Sequence, residues 1–293
     1  MASRSTFLNV AEGAALVIGY AFFRMLPVDW ASGVGGFLAR TIGPRLGITK
    51  RAEINLSNAM PELSAGERRR VIAGMWDNLG RVIAEYPHLD KFRLFDAKSR
   101  IEGIDAGNIL ATRDPQKKYI FFSAHYGNWE IAIRTASQAG FEVTGVYRAP
   151  NNPIVDRFML WARGAEGGEL VPKGDIAARK AFGALREGRA LCMLVDQKMN
   201  DGIPVPFFGR DAMTAPALAV LALRYDCAVV PIRMERRRGA HFRMISERPL
   251  ALPKTGDNDA DRRTLMTQVN AIVERWVREH PEQWLWLHRR WPD

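Results

Sequence analysis

Cysteine is scarce in this sequence, and the motifs that identify several large enzyme classes are missing from it. The 293 residues include only Cys192 and Cys227, which lie in apolar runs without C-x-x-C spacing. They imply neither a disulfide framework nor a cysteine metal site, and they favour reduced, buried thiols in a cytoplasm-facing protein. The absence of G-x-S-x-G, G-x4-G-K, H-E-x-x-H and complete G-x-G-x-x-G motifs disfavours serine hydrolases, nucleotide hydrolases, zinc proteases and dinucleotide enzymes.

Acidic residues are also outnumbered. The 42 Lys and Arg against 32 Asp and Glu give a formal net charge of +10. Such a balance suits nucleic acid, anionic lipid or an acidic protein partner, or it merely keeps the protein soluble. No zinc-finger pattern, basic heptad or RNA-binding aromatic signature is present. Because the basic residues are spread among strongly apolar segments, we expect lipid headgroups and an acidic protein rather than nucleic acid.

The order of predicted elements indicates a layered α/β fold. Residues 1–100 are expected to be mainly helical, with a capping box at Ser64 and Glu67. The predicted strands are 119–123, 142–147, 168–172, 190–195, 227–236 and 241–248, and the predicted helices between and after them are 128–139, 153–165, 175–187, 214–225 and one long final helix. This alternation predicts a mostly parallel sheet flanked by helices, with an antiparallel edge. No linker interrupts the chain, so we expect one domain over residues 1–293.

The N-terminal segment is apolar enough to meet a membrane. Residues 7–26 are mostly apolar, with Glu12 and Arg24 interrupting, and no convincing cleavage pattern follows. The run from Gly13 to Phe23 is shorter than a bilayer span requires. We therefore interpret residues 1–28 as a membrane-associating helix that lies in the interface. A spanning helix with snorkelling ends and a core helix are the alternatives.

A short polar motif follows the predicted strand 119–123. The sequence His-Tyr-Gly-Asn-Trp-Glu places His125 at the strand's carboxyl end, Gly127 in a tight turn, and Glu130 in the first turn of a helix that Asn128 can cap. Open α/β sheets bind ligands at this edge. A neutral imidazole there can accept a proton from a hydroxyl, and a nearby carboxylate can hold its tautomer. His125 is therefore a candidate general base.

The H-x4-E spacing of His125 and Glu130 resembles the H-x4-D/E signature of glycerolipid-type acyltransferases. The whole motif is similar to that of the bacterial lipid A biosynthesis (late) lauroyl/myristoyl acyltransferase family. Other blocks resemble the same family in the same order over nearly the whole chain: Asn55-Leu56 with Met60–Ser64, Tyr147-Arg148 with Asn151–Pro153, Asp196-Gln197 with Val205–Gly209, and Pro281–Arg290.

The resemblance implies a function. It implies transfer of a fatty acyl chain from acyl carrier protein to a hydroxyl of a lipid A precursor, at the cytoplasmic face of a Gram-negative inner membrane. It implies no metal and no cofactor beyond the acyl carrier donor, and it implies membrane lipids as further partners. The same chemistry on another glycolipid or aminolipid acceptor, or a catalytically silent lipid-binding protein, are the alternatives.

Two acids compete to orient His125. Glu130 is the first, although its position also suits a favourable charge at a helix N-terminus. Asp196 is the second, because it ends the apolar run Leu191–Val195 and should also lie at a strand's carboxyl end. In related mycobacterial acyltransferases a downstream acid pairs with the motif's histidine, in a comparable place. We hold both acids as catalytic candidates, and Asp196 with Gln197 can instead form the pocket wall.

Further polar residues are candidates for binding substrate. Arg148 follows a predicted strand, and its planar fork of donors suits an anionic acceptor. Lys173 is a similar cation, and Arg289 follows a tryptophan-rich segment that suits a membrane interface or a packed C-terminus. Asn128 and Gln197 are expected to line the same site. An ordinary surface ion pair is the plain alternative for Arg148.

Overall fold

The computed structural model describes residues 6–96, 99–105, 107, 109–110, 113–147, 149–164, 168–172 and 175–291, except for the side chains of residues 7 and 175–178. The N-terminal part is helical, as predicted. Its helices are α1 (Thr6–Met25), α2 (Val28–Ile42), α3 (Thr49–Ala59) and α4 (Ala65–Glu85), followed by a 3₁₀ helix at Tyr86–Lys91. The capping box at Ser64 and Glu67 is present and begins α4.

The rest of the chain alternates strands and helices. The strands are β1 (Ile101–Asp105), β2 (Tyr119–Ser123), β3 (Val143–Tyr147), β4 (Glu169–Pro172), β5 (Ala190–Leu194), β6 (Lys198–Phe207), β7 (Arg210–Thr214), β8 (Ala228–Arg238) and β9 (His241–Ser246). The helices are α5 (Ala132–Gln138), α6 (Pro153–Arg163), α7 (Asp175–Arg186), α8 (Ala217–Tyr225) and α9 (Asn258–Glu279).

One sheet of seven strands has the order β1-β9-β8-β2-β5-β3-β4. Strands β8, β2, β5, β3 and β4 are parallel, and β9 is antiparallel to β8 while β1 is parallel to β9. The predicted α/β class and mostly parallel sheet are therefore confirmed. The predicted antiparallel edge consists of β9 and β1, and β1 is a strand that the sequence pattern did not predict.

Two further differences concern residues 198–217. Strands β6 and β7 form a separate antiparallel hairpin that the sequence pattern did not predict. The helix expected from Thr214 begins instead at Ala217, because Thr214 still pairs with β6 and Pro216 occupies the position before the helix.

The helix expected over 128–139 begins as a 3₁₀ turn, Trp129–Ile131, before α5.

The central strand β2 is buried on both faces. Ile120 and Phe122 face a cluster that includes Trp276 of α9, and the Phe122 and Trp276 rings are 6.1 Å apart. Phe121 faces the opposite cluster, where its ring meets Phe141 edge to face at 4.8 Å. Burial of both faces explains the unbroken apolar run that identified this strand from sequence.

Helix α1 lies on α6 and leaves most of its surface open. The Tyr20 ring packs against Phe158 at 5.1 Å, and the Asn152 amide donates to the carbonyl of Asn9. The stretch Leu8–Met25 is long and apolar enough to cross a membrane by length and composition alone, and 6% of it is buried. This exposure does not fit the alternative of a core helix.

Helices α2 and α4 cross with their backbones in contact. A Cβ atom built on Gly80 would overlap the carbonyl oxygen of Gly35 and the methyl group of Ala39, and one on Gly35 would overlap Ala84. Only glycine at both positions permits this approach. The crossing brings the polar face of α4 toward the end of β2.

We expect Gly80→Ala to destabilise the protein by roughly 1–3 kcal/mol, the usual cost of overpacking a tight contact. Gly33→Ala is the matched control, because Gly33 lies in α2 with nothing within 4 Å of an added Cβ. Alanine there should be neutral or stabilising by up to about 1 kcal/mol. Urea unfolding followed by circular dichroism measures both. Equal stabilities for the two variants would contradict the close crossing.

Candidate active site

His125 lies two residues beyond β2, where a turn lifts the chain off the sheet. Gly127 makes this turn with φ of +56°, and a Cβ there would collide with the carbonyl oxygen of Met234 on β8. The backbone of the turn bonds to the C-terminal segment: Gly127 donates to Gln283, and Leu285 donates to His125. The tight turn expected at Gly127 is present, and it needs glycine.

Asp196 lies two residues beyond β5, directly beside His125. The parallel register pairs Ser123 with Leu194, so the residues that follow these two strands also face each other. One Asp196 oxygen is 2.8 Å from His125 Nδ1, and the other accepts the His125 backbone N–H at 2.8 Å. Trp284 Nε1 donates to the same oxygen at 2.8 Å. Of the two acids left open by the sequence, Asp196 is the one that contacts the imidazole.

The environment of Asp196 keeps it charged. Its side chain is fully buried, and burial alone would raise the pKa of this carboxyl. The adjacent imidazole of His125, the hydrogen bonds from His125, and His288 outweigh that cost and hold the pKa of Asp196 well below its ordinary value. The ionised carboxylate accepts from Nδ1–H of His125, and in the neutral form of the imidazole this hydrogen bond leaves the lone pair on Nε2.

The Nε2 atom of His125 faces a small polar and aromatic site. The Gln197 amide nitrogen is 3.3 Å from it, and the His288 and Trp129 rings lie 4.7 and 5.2 Å from the imidazole ring. The His125 side chain keeps 14% of its surface exposed. An acceptor hydroxyl that displaced the Gln197 amide would meet an unprotonated nitrogen, which is the geometry that general-base catalysis requires.

The same residues include a set of metal-type donors. One ligand atom each from His125, Asp196 and His288 lie within 4.8 Å of one another. However, His125 Nδ1 and Asp196 already bond directly, so an ion shared by these residues would have to separate them. The direct hydrogen bond between His125 and Asp196 is an arrangement that can transfer a proton without any ion.

Glu130 is engaged by a different partner. Its carboxylate accepts from Nε and Nη2 of Arg163, at 2.9 and 3.0 Å, and from Trp129 Nε1 at 3.2 Å. Both charged side chains are mostly buried. This bidentate pair ties the helix after the motif to the end of α6, next to the rings of Tyr86 and Tyr147. Glu130, one of the two acids that the sequence leaves open as partners of His125, therefore bonds to Arg163 and Trp129 and not to the imidazole.

A buried ionic network fixes the other side of the turn. Glu85, at the end of α4, is fully buried and accepts from Asn128, Ser32 and Arg236. Arg236 also donates to Asn78, whose amide donates to the carbonyl of Gly127 at 2.9 Å. The network joins α2, α4 and β8 to the two residues that follow His125-Tyr126.

The C-terminal segment is part of the core. Trp284 and Trp286 are fully buried and Trp291 nearly so. The C-terminal segment is therefore packed inside the protein, and its tryptophans do not form a membrane interface. Arg290 is also fully buried and donates to Thr214 Oγ1 at 2.8 Å. Burial lowers the pKa of Arg290 to about 10, against the opposing influence of the Asp196 carboxylate.

The candidate substrate-binding residues lie in different places. Gln197 lies at the imidazole, and Arg289 is exposed beside α3. Asn128 is fully buried with its amide used by Glu85 and by the N–H of Glu130, so it holds the turn and offers substrate no surface. Arg148 and Lys173 lie outside the described residues.

Sequence reasoning missed Arg163, Glu85, Arg236 and His288. An acid at the end of the apolar face of α4 was a detectable signal for Glu85, since a carboxylate on a buried face requires a partner. Arg163 ends a helix predicted from the pattern, but nothing in the local sequence links it with Glu130. His288 lies within the C-terminal block, and the tryptophans and arginines of that block are its more prominent sequence features.

Comparison with known proteins shows which family this chain matches. Residues 4–293 match the family described as bacterial lipid A biosynthesis acyltransferase. The lipid A biosynthesis lauroyltransferase of Escherichia coli (strain K12) is 25% identical over 268 residues, with 88% of this chain and 82% of the relative covered. The myristoyltransferase of the same strain is 26% identical over 279 residues, covering 94% and 84%.

A third relative, the lipid A biosynthesis palmitoleoyltransferase of the same strain, is 24% identical over 268 residues, with 85% of this chain and 83% of the relative covered. The three names share a reaction type and differ in the acyl group. With the family matched over nearly its whole length and a histidine–carboxylate pair at the sheet edge, this chain belongs to the bacterial lipid A biosynthesis acyltransferase family.

Proposed function

We propose that this protein transfers a fatty acyl chain from acyl carrier protein to a hydroxyl of a lipid A precursor, with His125 as general base. The observation that supports this best is the contact of His125 with the buried, ionised Asp196, which directs the free lone pair of Nε2 outward. The family membership supports the acyl transfer and the lipid A pathway. The donor, the acceptor hydroxyl and the role of His125 are our inferences.

The proposed reaction is direct transfer. The acceptor hydroxyl displaces the Gln197 amide from Nε2 of His125, gives up its proton to that atom, and attacks the thioester carbonyl. Asp196 stabilises the imidazolium that forms. When the carbon–sulfur bond breaks, the imidazolium returns the proton to the leaving thiolate. The products are an ester and the free thiol of the carrier.

The membrane role is proposed on the same basis. Helix α1 exposes apolar side chains, including Val17, Ile18 and Phe22, and its Tyr20 ring lies 5.6 Å from the ring of the exposed Trp161 of α6. An apolar surface of this kind suits the membrane interface. We propose that it holds the enzyme at the cytoplasmic face of the inner membrane, where the acceptor lipid and the carrier can both reach it.

We expect His125→Ala to lower the rate of acyl transfer by roughly 10²–10⁴-fold, the usual worth of a general base. The reaction is followed by measuring both the release of free thiol and the formation of acylated lipid. A lipid-binding protein without catalytic activity would release no free thiol. Circular dichroism checks that the variant is folded. Treatment of the wild type with a chelator should leave the rate unchanged. A folded variant with near-normal rate would refute the assignment.

We expect Asp196→Asn to be at least about 10²-fold slower than wild type, because an amide donating to Nδ1 moves the imidazole proton to Nε2. Glu130→Gln should be impaired less, since Glu130 contacts Arg163 and not the imidazole. Steady-state rates of both variants decide between the two acids. A severe loss in Glu130→Gln with a mild one in Asp196→Asn would reverse the assignment.

We expect Ile18→Asp combined with Phe22→Asp to release the protein from anionic vesicles, because charge on α1 opposes its burial in the interface. Phe95→Asp is the matched control, since Phe95 is as exposed as these residues but lies outside α1. Flotation of each variant with vesicles measures binding. Equal flotation of all three proteins would show that α1 does not provide the attachment.

A further inference from the structure

A cavity of about 360 Å³ lies between α3 and the C-terminal segment. Among the residues that the structure describes, its lining includes four basic side chains and no acidic one. The basic residues are Lys50, Arg51, Arg210 and Arg289. Asn55 and Asn58 add amide groups to the same wall. A concave surface with this composition attracts an anion.

The charges of the cavity are held in place without being neutralised. Arg51 donates to the carbonyl of Leu287 at 3.3 Å, and the Arg210 guanidinium lies 5.5 Å from the centre of the Trp291 ring. Within the described part of the chain, no carboxylate forms an ion pair with any of the four basic residues. Arg163 and Arg236, by contrast, are paired with Glu130 and Glu85. Clustered, unpaired cations repel one another, and a bound anion removes that cost.

Asn55 connects the cavity with the candidate active site. Asn55 lines it and donates its amide to the carbonyls of Trp286 and His288, at 2.8 and 2.7 Å. The His288 ring is 4.7 Å from that of His125. A group bound in the cavity would therefore lie close to the residues that surround His125.

The rim of the cavity is apolar. Ile48 and Ile54 belong to its lining and are well exposed, and Leu46 beside them is exposed too. A lipid with a charged headgroup matches this combination, because its phosphate meets the arginines while its hydrocarbon lies on the rim.

We propose that this cavity binds a phosphate group of the anionic glycolipid that accepts the acyl chain. The proposal rests on the proposed function and extends it to the substrate's headgroup. Arginine forks bind phosphate oxygens in pairs, so the cavity would set the distance and direction from the phosphate to the acceptor hydroxyl at His125. Arg289, expected from sequence to bind substrate, would take this role, with Arg51 opposite.

The test compares a phosphorylated glycolipid acceptor with the same glycolipid after removal of its phosphates. For Arg51→Gln and Arg289→Gln we expect KM for the phosphorylated acceptor to rise at least about tenfold, while KM for the acyl donor stays at its wild-type value. With the dephosphorylated acceptor, variants and wild type should have the same KM. Arg224→Gln is the control, since Arg224 lies on α8 outside the cavity.

Two outcomes would overturn the proposal. A rise in KM for the acyl donor in place of the acceptor would mean that the cavity binds the carrier. An equal loss with both acceptors would mean that the arginines maintain the structure.

If the wild type acylates neither lipid, the proposed function fails, and vesicle binding then tests the cavity alone. Vesicles that contain the phosphorylated glycolipid should bind wild type and Arg224→Gln better than Arg51→Gln with Arg289→Gln; equal binding would end the proposal.

Discussion

A buried carboxylate organises the candidate active site. Asp196 is ionised inside the protein, and burying a charge is costly unless hydrogen bonds compensate it. Its three donors are the His125 backbone, the His125 imidazole and the Trp284 indole. These groups come from the end of β2 and from the C-terminal segment, so neither can move without leaving the charge unsatisfied. One interaction therefore sets both the tautomer of His125 and the packing of the chain around it.

A second buried charge holds the turn after His125. Glu85 would be equally costly alone, and it is satisfied by Arg236 and by polar groups of α2 and of the turn itself. Because α2 and α4 cross through paired glycines, the helical N-terminal region can bring Glu85 within reach of Asn128. The N-terminal helices thus serve the site directly. Packed elements link the exposed apolar surface of α1 with the turn that follows His125.

The sequence was most informative where local pattern determines structure. The apolar run 119–123, Gly127 and His125 predicted a strand, a turn and a residue at the sheet edge, and all three are present. The choice between Glu130 and Asp196 stayed open because it depends on β2 and β5 being neighbours, although Asp196 lies 71 positions after His125 and two other strands come between β2 and β5 along the chain. The Glu130–Arg163 pair was missed for the same reason. The C-terminal tryptophans were ambiguous because aromatic and basic residues suit both a membrane interface and a packed core.

The central claim is that Asp196 holds His125 with its proton on Nδ1 and a lone pair on Nε2. NMR of protein labelled with ¹⁵N-histidine measures this directly, with the His125 signals assigned by their loss in His125→Ala. At neutral pH the account predicts a protonated Nδ1 and an unprotonated Nε2 in the enzyme without substrate, and the reverse in Asp196→Asn. An Nε2–H tautomer in the wild type would contradict the account, because no lone pair would then face the acceptor hydroxyl.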